Sequence, residues 1–450
     1  MEPAAESWRY PPLRALLALA WPVVLARAAQ SVVGFADAAL VAPLGPDALA
    51  ATANGSMNAL AVFMLPTGIV FIVQSFSAQF FGAGDTASLR RYAWYGLLVA
   101  LLAELAALAA IPLVPWVLAR SDYTPEVQSL MAGFLVVRLA GVGAAVGTEA
   151  LGNWFAGQNN THVALVASLV VMALNVPLAW ALIHGGLGLP ALGVQGAALA
   201  STLATWAGFL VAALAFARAP RALPTGRLRL QELLRFVRYG LPNGLNWFVE
   251  FAAFLVFVDV VFARLGTPAL AALMAVLQLN SLAFMPAFGV ASAGAIQVGN
   301  ALGAGAPDAV PALVRRTTLV AVAWMVLVGV GYGAAPSALL ALFAKGDGAL
   351  ELATVGVRLL WVSIAWQLSD ALSVVLSEAL RAAGDTAWPM AARIALSWVF
   401  FVPAAWWTAR AGGGPVAVLL WVVVYITLLA GLLYARFRRG AWRTMDLRGA

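Results

Sequence analysis

Long apolar stretches recur along the whole chain, and they limit its possible folds more than any other feature. Each stretch is at least as long as the roughly 20 residues that a helix needs to cross a hydrocarbon core about 30 Å thick. An open sheet would leave backbone groups unpaired in lipid, so helices are the expected spanning element. Only 10% of the residues are charged, against roughly 25% in an average soluble protein. The sequence therefore predicts an all-α integral membrane protein.

Twelve apolar segments can be counted, and the polar stretch between the sixth and the seventh is the longest interruption. That stretch, residues 218–238, contains six arginines and divides the chain into two halves. We predict an N-terminal six-helix bundle at 1–217, a basic cytoplasmic linker at 218–238, and a C-terminal six-helix bundle with a short cytoplasmic tail at 239–450. The twelve predicted transmembrane helices lie near 13–41, 52–80, 92–118, 126–150, 162–184, 192–217, 233–262, 270–299, 312–343, 351–379, 388–409 and 415–436.

The distribution of basic residues predicts the orientation of the chain. If the N-terminus is cytoplasmic, nineteen arginines, Arg393 among them, fall on the cytoplasmic side and four basic residues on the other. An excess of Lys and Arg marks the cytoplasmic side of a membrane protein. We therefore predict a multi-pass protein of the bacterial inner (plasma) membrane with both termini in the cytoplasm. The net charge of +7 then reflects orientation signals that attract anionic membrane lipids, and no nucleic-acid binding is expected.

The two halves resemble each other in sequence. LGPDALAA at 44–51 matches LGTPALAA at 265–272. GAG at 82–84 matches GAG at 303–305, and an arginine pair follows each of them. Because each half has six spans, both halves share one orientation, and the repeat is related by an axis along the membrane normal. Pseudo-symmetric duplication of this kind is typical of secondary transporters.

Carboxylates inside the apolar segments are the strongest candidates for function, because a charge at the bilayer centre costs about 2.5–3.5 kcal/mol to insert. Glu250 lies midway along the seventh segment, and Asn243 and Asn246 share its helical face. Asp370 lies midway along the tenth segment, with Gln367 on the same face. We predict that both acids bind a coupling cation. The alternatives are a structural hydrogen-bond network around Glu250 and a structural ion pair of Asp370 with Arg358.

Asp37, late in the first segment, is the third predicted cation-coupling residue, with Gln30 on its face. The alternative is an ion pair with Arg27. Asn175 and Thr202 are single polar groups in the fifth and sixth segments, where a lone polar group commonly joins two helices. The predicted supporting residues of the cation or substrate path are Gln30, Asn175, Thr202, Asn243, Asn246, Gln278, Asn280 and Gln367.

Several enzyme and cofactor motifs are missing from the sequence. The chain has no cysteine and only two histidines, His162 and His184, so a metal site built on these residues is not expected. No G-x-x-x-x-G-K-[ST] motif occurs, so ATP is not expected to drive the protein. H-E-x-x-H and G-x-S-x-G are also absent. We predict that the protein is not an enzyme and that its only ion requirement is a coupling Na+ or H+.

Three motifs at the ends of the second, eighth and tenth predicted helices resemble those of a known family. They are VQSFSAQFFGAGD at 73–85, VGNALGAG at 298–305 and EALRAAGDT at 378–386. With them, the chain resembles the multidrug and toxic compound extrusion (MATE) family from about residue 13 to 436. The resemblance implies two six-helix bundles around a V-shaped cavity. It also implies a secondary active antiporter, commonly monomeric, that exports small organic, mostly cationic drugs in exchange for Na+ or H+.

The resemblance also implies roles for single residues. Glu250 and Asp370 match the acidic positions of the NorM-like branch of the family, where Na+ is a possible ligand. Asp37 matches the acid of the first helix. Asn175 and Thr202 match polar cation-site positions of the N-terminal bundle. These assignments coincide with the acids ranked highest from their position in the spans.

One departure and one alternative function stay open. Ala179 stands where some family members carry a second acid, which leaves open whether the N-terminal bundle has a cation site. The alternative function is flipping of a lipid-linked oligosaccharide by a related architecture. That activity needs a basic cavity for a pyrophosphate, and the intramembrane acids here outnumber the arginines. The balance of charge favours the antiporter.

Overall fold

The computed structural model describes residues 12–448 apart from 122, 187, 220–226, 342, 344–348 and 446. Each of the twelve predicted segments coincides with a helix, which confirms the all-α prediction for this part of the chain. Arg9, Lys345 and part of the predicted linker lie outside the described residues. The main helices are α1 (Leu13–Val41), α2 (Pro46–Gly82), α3 (Thr86–Ala110), α4 in two parts (Pro125–Leu139 and Val142–Gly157), α5 (His162–His184), α6 (Val194–Arg218), α7 (Leu230–Leu255), α8 (Thr267–Gly303), α9 (Val310–Ala334), α10 (Ala349–Ala383), α11 (Ala387–Arg410) and α12 (Pro415–Arg438).

Ten helices of the described chain are long and apolar enough to cross a membrane, or eleven if the two parts of α4 form one span. Those two parts meet at an angle of 44°. The predicted span that this test leaves out is α7. Its sequence contains Glu232, Arg235, Arg238 and Glu250. α7 is therefore helical along its predicted length, but it is less clearly apolar than the other spans.

Left-handed backbone positions recur at matching points of the two halves. Glycine favours such turns because a Cβ is disfavoured at positive φ. The matching turns support the internal repeat predicted from the sequence. The pairs are Gly45 (φ 109°) and Gly266 (98°), Gly84 (73°) and Gly305 (73°), and Asn159 (62°) and Gly384 (97°).

A side-chain cap fixes the start of α3. Asp85 accepts a hydrogen bond of 3.0 Å from the backbone N–H of Ser88, one of the donors that a helix start leaves unpaired. Burial opposes the charge of Asp85, but hydrogen bonds from Ser88 and the positive charge of Arg91 outweigh it and lower the pKa of the carboxyl. The cap therefore stays ionised, and stable, at neutral pH.

The chain divides into two compact units. Unit N is Leu25–Gly244, in which α6 packs against α4 and α5. Unit C is Met1–Val24 together with Leu245–Ala450, in which α10 packs against α8, α9 and α12. The limits of the units fall inside α1 and α7, shortly after Pro22 and Pro242. Each proline removes one backbone hydrogen bond from its helix.

The interruption of α4 is supported by side chains from two neighbouring helices. A break inside a span frees backbone N–H and C=O groups, which must find partners because lipid offers none. One carboxylate on α3 and two donors on α6 supply them. The Gly143 N–H donates to Glu104 (2.6 Å), Thr202 donates to the Val137 carbonyl (3.1 Å), and Trp206 donates to the Ala140 carbonyl (2.9 Å).

Candidate functional site

An ion pair midway along the helices of unit C joins α7 to α11. Arg393 on α11 donates directly to the carboxylate of Glu250 on α7. The same guanidinium reaches the hydroxyl oxygen of Ser377 on α10 at 3.3 Å. Beside the pair, the Trp398 indole N–H donates to the Val249 carbonyl at 3.2 Å. These bonds hold Glu250 and Arg393 in one place relative to each other.

Asp370 and Tyr425 complete what we call the Glu250 cluster: Glu250, Asp370, Arg393 and Tyr425. Asp370 on α10 interacts electrostatically with both Glu250 and Arg393. Tyr425 on α12 interacts with all three charged groups. When both acids are ionised, the cluster holds two negative charges and one positive charge.

The two members of the ion pair differ in exposure. The Glu250 side chain is 42% exposed, whereas that of Arg393 is 14% exposed. A charged carboxylate facing hydrocarbon would be costly, so charged groups in spans face the protein interior or a water-filled space. Glu250 is therefore the more accessible charged group of the ion pair.

Two amides near the Glu250 cluster have buried polar atoms without hydrogen-bond partners among the described residues. Gln367, one turn before Asp370 on α10, is 2% exposed, and both its side-chain Oε1 and Nε2 are unpaired. The Oδ1 of Asn246 on α7 is also buried and unpaired among the described residues. A buried unpaired polar group typically costs about 1–3 kcal/mol. Such groups are suited to bind a ligand, as the sequence predicted for this path.

In unit N, Asp37 lies in a chain of neutral hydrogen-bonding groups. The Ser201 hydroxyl donates to Asp37 Oδ2 at 2.7 Å, and the Asn175 amide donates to the Ser201 oxygen at 2.9 Å. Asp37 Oδ1 and Asn175 Oδ1 are buried without a hydrogen-bond partner in the described part of the chain. The structure thus brings together two predicted residues, Asp37 and Asn175, through a third that was not predicted. We call these three residues the Asp37 cluster.

Thr202 does not belong to the Asp37 cluster. Its hydroxyl donates to the Val137 carbonyl at the break of α4, whereas the preceding residue, Ser201, contacts Asp37. The nearest positive charge that acts on Asp37 is Arg138, in the last turn before that break. The Arg138 guanidinium also lies 5.5 Å from the centre of the Phe63 ring.

Arg27 pairs with Glu149 and not with Asp37. Its guanidinium donates to the two Glu149 oxygens at 2.9 and 3.2 Å and to Gln30 at 3.0 Å. This ion pair joins α1 to the second part of α4 within unit N. Gln30, predicted to support the path, therefore lies beside an arginine–glutamate pair.

The other predicted path residues make local contacts. The Asn243 amide donates to the Gly68 carbonyl at 2.6 Å, where a Cβ on Gly68 would lie 2.6 Å from Gly244 Cα. Asn243 therefore joins two closely packed helices of unit N. Asn280 donates to Val276 within its own helix. Gln278 on α8 is exposed, and its side chain makes no described hydrogen bond to either cluster.

Two of the central residues were not predicted from the sequence. Arg393 was expected among the cytoplasmic orientation charges, but the structure places this residue inside α11 as the partner of Glu250. The available signal was its position inside the predicted span 388–409. Ser201 was passed over in favour of its neighbour Thr202, and no sequence signal distinguishes the faces on which the two hydroxyls lie.

Comparison with known proteins identifies the family. A model of the MatE family matches residues 22–181 and 243–407. The chain is 30% identical to the "Probable multidrug resistance protein NorM" of Bradyrhizobium diazoefficiens, over 95% of this chain and 93% of that protein. It is also 30% identical to the protein of the same name from Rhizobium meliloti, over 95% of this chain and 93% of that one.

Solved structures agree with the fold. A crystal structure of MATE in complex with MaL6 has a TM-score of 0.86 at 20% identity, covering 99% of this chain and 100% of that one. A MOP superfamily transporter from Pyrococcus furiosus, described as having a binding pocket of reverse polarity, has a TM-score of 0.87 at 20% identity with the same coverage. At this identity the likeness speaks for the fold alone. Together with the family match and the relatives, it confirms the resemblance read from the motifs: this chain belongs to the MatE family of multi-span membrane transporters.

Proposed function

We propose that this chain is a multidrug exporter of the bacterial inner membrane that exchanges organic, mostly cationic compounds for protons or sodium ions. Its relatives named as NorM multidrug resistance proteins support the multidrug role. The Glu250 cluster supports the exchange. Two carboxylates share one arginine midway along apolar helices, which leaves one negative charge for a mobile cation.

The drug and the coupling ion compete for that one negative charge, and this competition couples drug export to ion entry. A cationic drug bound near Glu250 and Asp370 neutralises the cluster, and so does a coupling ion. An ion can move the protein between two states only if it binds one of them better than the other. Ion binding from outside therefore favours the state that has released its drug, and the ion leaves on the other side.

The Asp37 cluster supplies a third acid for this cycle. Its partners Ser201 and Asn175 are neutral and leave one carboxylate oxygen and one amide oxygen unpaired. Oxygens of this kind suit either a proton or a small hard cation. We assign Asp37 a role in coupling and leave the drug to the Glu250 cluster.

The flippase alternative is weakened by the way the arginines are used. Arg27 bonds to Glu149, Arg393 bonds to Glu250, and Arg138 acts on Asp37. A pyrophosphate would have to compete with a carboxylate at each of these three guanidinium groups. This arrangement favours a cationic cargo over an anionic one.

The proposal is tested by ethidium efflux from cells that express the chain, with the pH gradient and the sodium gradient removed in turn. We expect efflux by the wild type that collapses with one of the two gradients. We expect Glu250→Gln and Asp370→Asn to abolish it while both variants reach the membrane at wild-type levels.

Asp308→Asn is the matched control, because Asp308 is an exposed acid whose only described ion pair is with Arg443, a residue of neither cluster. It should export like the wild type. Wild-type efflux in both Glu250→Gln and Asp370→Asn would refute the assignment of the cluster. Absence of efflux of any organic cation from well-expressed, folded wild type would refute the multidrug role itself.

A further inference from the structure

Arg393 brings a permanent positive charge into the Glu250 cluster. An arginine side chain is never deprotonated in proteins, so its charge does not change during transport. The guanidinium is mostly buried, bonds to Glu250 and reaches Ser377. Its neighbours on α11 are fixed by the Trp398–Val249 hydrogen bond. It therefore cannot leave the cluster without breaking several contacts at once.

The groups that act on Asp370 come from neighbouring helices and determine the net charge of the Glu250 cluster. α7 contributes Glu250, α11 contributes Arg393 and α12 contributes the phenol of Tyr425. α8, which packs against α10, has no charged residue along its length, and α9 carries charge only at its start, on Arg315 and Arg316. The cluster therefore has a net charge of −1 when both acids are ionised.

A metal cation and a proton place different demands on such a cluster. Na+ needs several oxygens around it and would lie beside the guanidinium, which repels it. A proton forms one covalent bond to one carboxylate oxygen and needs no ligand shell. Arg393 already provides Glu250 with the positive partner that a bound metal cation would otherwise supply.

We propose that Arg393 is a tethered cation that takes the place of Na+ beside Glu250, so that the Glu250 cluster accepts a single proton, at Asp370, and discriminates against Na+. The inference rests on the proposed exchange function and narrows it to one ion at this site. It predicts that removal of the guanidinium converts the cluster into one that binds Na+.

The test measures 22Na+ binding to the purified full-length chain and ethidium transport in proteoliposomes driven by a pH gradient or a Na+ gradient. Because Asp37 could bind Na+ independently, each protein is also prepared with Asp37→Asn. We expect no Na+ binding above background in Asp37→Asn, and transport by the wild type that follows the pH gradient. In Arg393→Gln with Asp37→Asn, we expect saturable Na+ binding that Glu250→Gln abolishes.

Two further variants keep the test decisive. Arg393→Lys retains the charge and should remain insensitive to Na+. Arg410→Gln removes an arginine from the other end of the same helix and should behave like the wild type. Na+ binding that survives Asp37→Asn while Arg393 is intact would overturn the inference, whether or not Arg393→Gln can be purified. An absence of Na+ binding in folded Arg393→Gln would also overturn it.

The outcomes separate this inference from the proposed function. Transport that follows a Na+ gradient through the intact Glu250 cluster refutes the role of Arg393 and leaves the exporter standing. Absence of drug transport with either gradient refutes the exporter. The Na+-binding comparison would still decide the role of Arg393 in that case.

Discussion

The two halves of this duplicated chain place an acid in their first helix, but they surround it differently. Asp37 in unit N is held by a hydroxyl and an amide. Glu250 in unit C is held by a guanidinium and has a second acid beside it. Gln30 stands at the position that corresponds to Glu250 in the repeat. Duplication has thus preserved the fold while the charge of the two clusters has diverged, so the halves cannot handle a cation in the same way.

The halves also differ in where their helices are irregular. In unit N, α2 is interrupted at Phe71 and α4 is bent at 44°, whereas the corresponding α8 and α10 are continuous. In unit C the irregularity lies in two π-helical turns, Val256–Val261 after α7 and Ala395–Phe401 within α11. These are the helices that carry Glu250 and Arg393. In unit C the irregular helices therefore carry the ion pair itself, whereas in unit N the irregular helices are not the one that carries Asp37.

The largest expected effect comes from breaking the ion pair of unit C. Glu250→Gln should reduce efflux to background, because it removes one of the two carboxylates of the Glu250 cluster. It should also destabilise the protein by about 1–3 kcal/mol, less than a fully buried pair because Glu250 is partly exposed. The double variant Glu250→Gln, Arg393→Gln should regain stability but not efflux. Thermal unfolding and ethidium efflux of both variants measure this, and equal stability of the single and double variants would contradict it.

Asp37→Asn should separate function from stability in unit N. The amide keeps the shape and the hydrogen bond from Ser201, and it removes a charge that is not held by a direct ion pair in the described part of the chain. We expect efflux to fall on the order of tenfold, with a melting temperature close to that of the wild type. The comparison with Glu250→Gln is the informative one, since a similar loss of stability in both variants would mean that the clusters do not differ as described.

A third difference between the halves should appear as a dependence of stability on pH. Glu232, just before the predicted span 233–262, accepts hydrogen bonds from Arg91 (2.8 and 2.9 Å) and Tyr95 (2.9 Å). Burial opposes the charge of Glu232, but these bonds outweigh it and lower the pKa of the carboxyl. In the other half Arg316 takes the place of Arg91 in the repeat, and its Nη1 is buried without a described hydrogen-bond partner.

A lowered carboxyl pKa gives stability that is complete above the unfolded-state pKa and is lost as the pH falls through the folded-state pKa. Unfolding temperatures of purified protein should therefore fall at acidic pH, and Glu232→Gln should reduce that dependence. At neutral pH the variant should lose about 2 kcal/mol, the size of a hydrogen bond between charged groups. Asp308→Asn serves as the control. An unchanged pH profile in Glu232→Gln would contradict a stabilising role for the bonds of Glu232 to Arg91 and Tyr95.

The smallest effect distinguishes two adjacent hydroxyls. Thr202→Val removes the bond to the Val137 carbonyl at the α4 break and should cost about 1 kcal/mol of stability, with little change in ion dependence. Ser201→Ala removes a donor to Asp37 and should change the pH or Na+ dependence of efflux more than the stability. Efflux titrations of the two variants decide between them, and the reverse pattern would place Thr202 in the cation path.

Sequence reasoning was most effective where the signal was local. Apolar length located the twelve main helices of the described chain, including α7, which is not among the helices that are long and apolar enough to span a membrane. Helical spacing predicted that Gln367 and Asp370 share a face of α10. It could not find the partner of Glu250, because Arg393 lies 143 positions away and only tertiary packing brings the two together. It also could not choose between Ser201 and Thr202, since successive residues on a helix point about 100° apart and the packed face depends on the neighbours.

The π-helical turns next to the ion pair bear on how its two charges could separate. The ring centres of Phe257 in one turn and Phe401 in the other are 5.0 Å apart. The Phe401 ring stacks on Tyr425, with the ring centres 5.2 Å apart. A π turn contains one residue more than an α turn and frequently occurs at functional sites. If the π turn moves along the helix, the part of the helix beyond it rotates and shifts along the axis. Most backbone hydrogen bonds then re-form with new partners, and few are lost. The two helices that hold Glu250 and Arg393 therefore each have a π-helical turn close to the ion pair, and the two turns contact each other through Phe257 and Phe401.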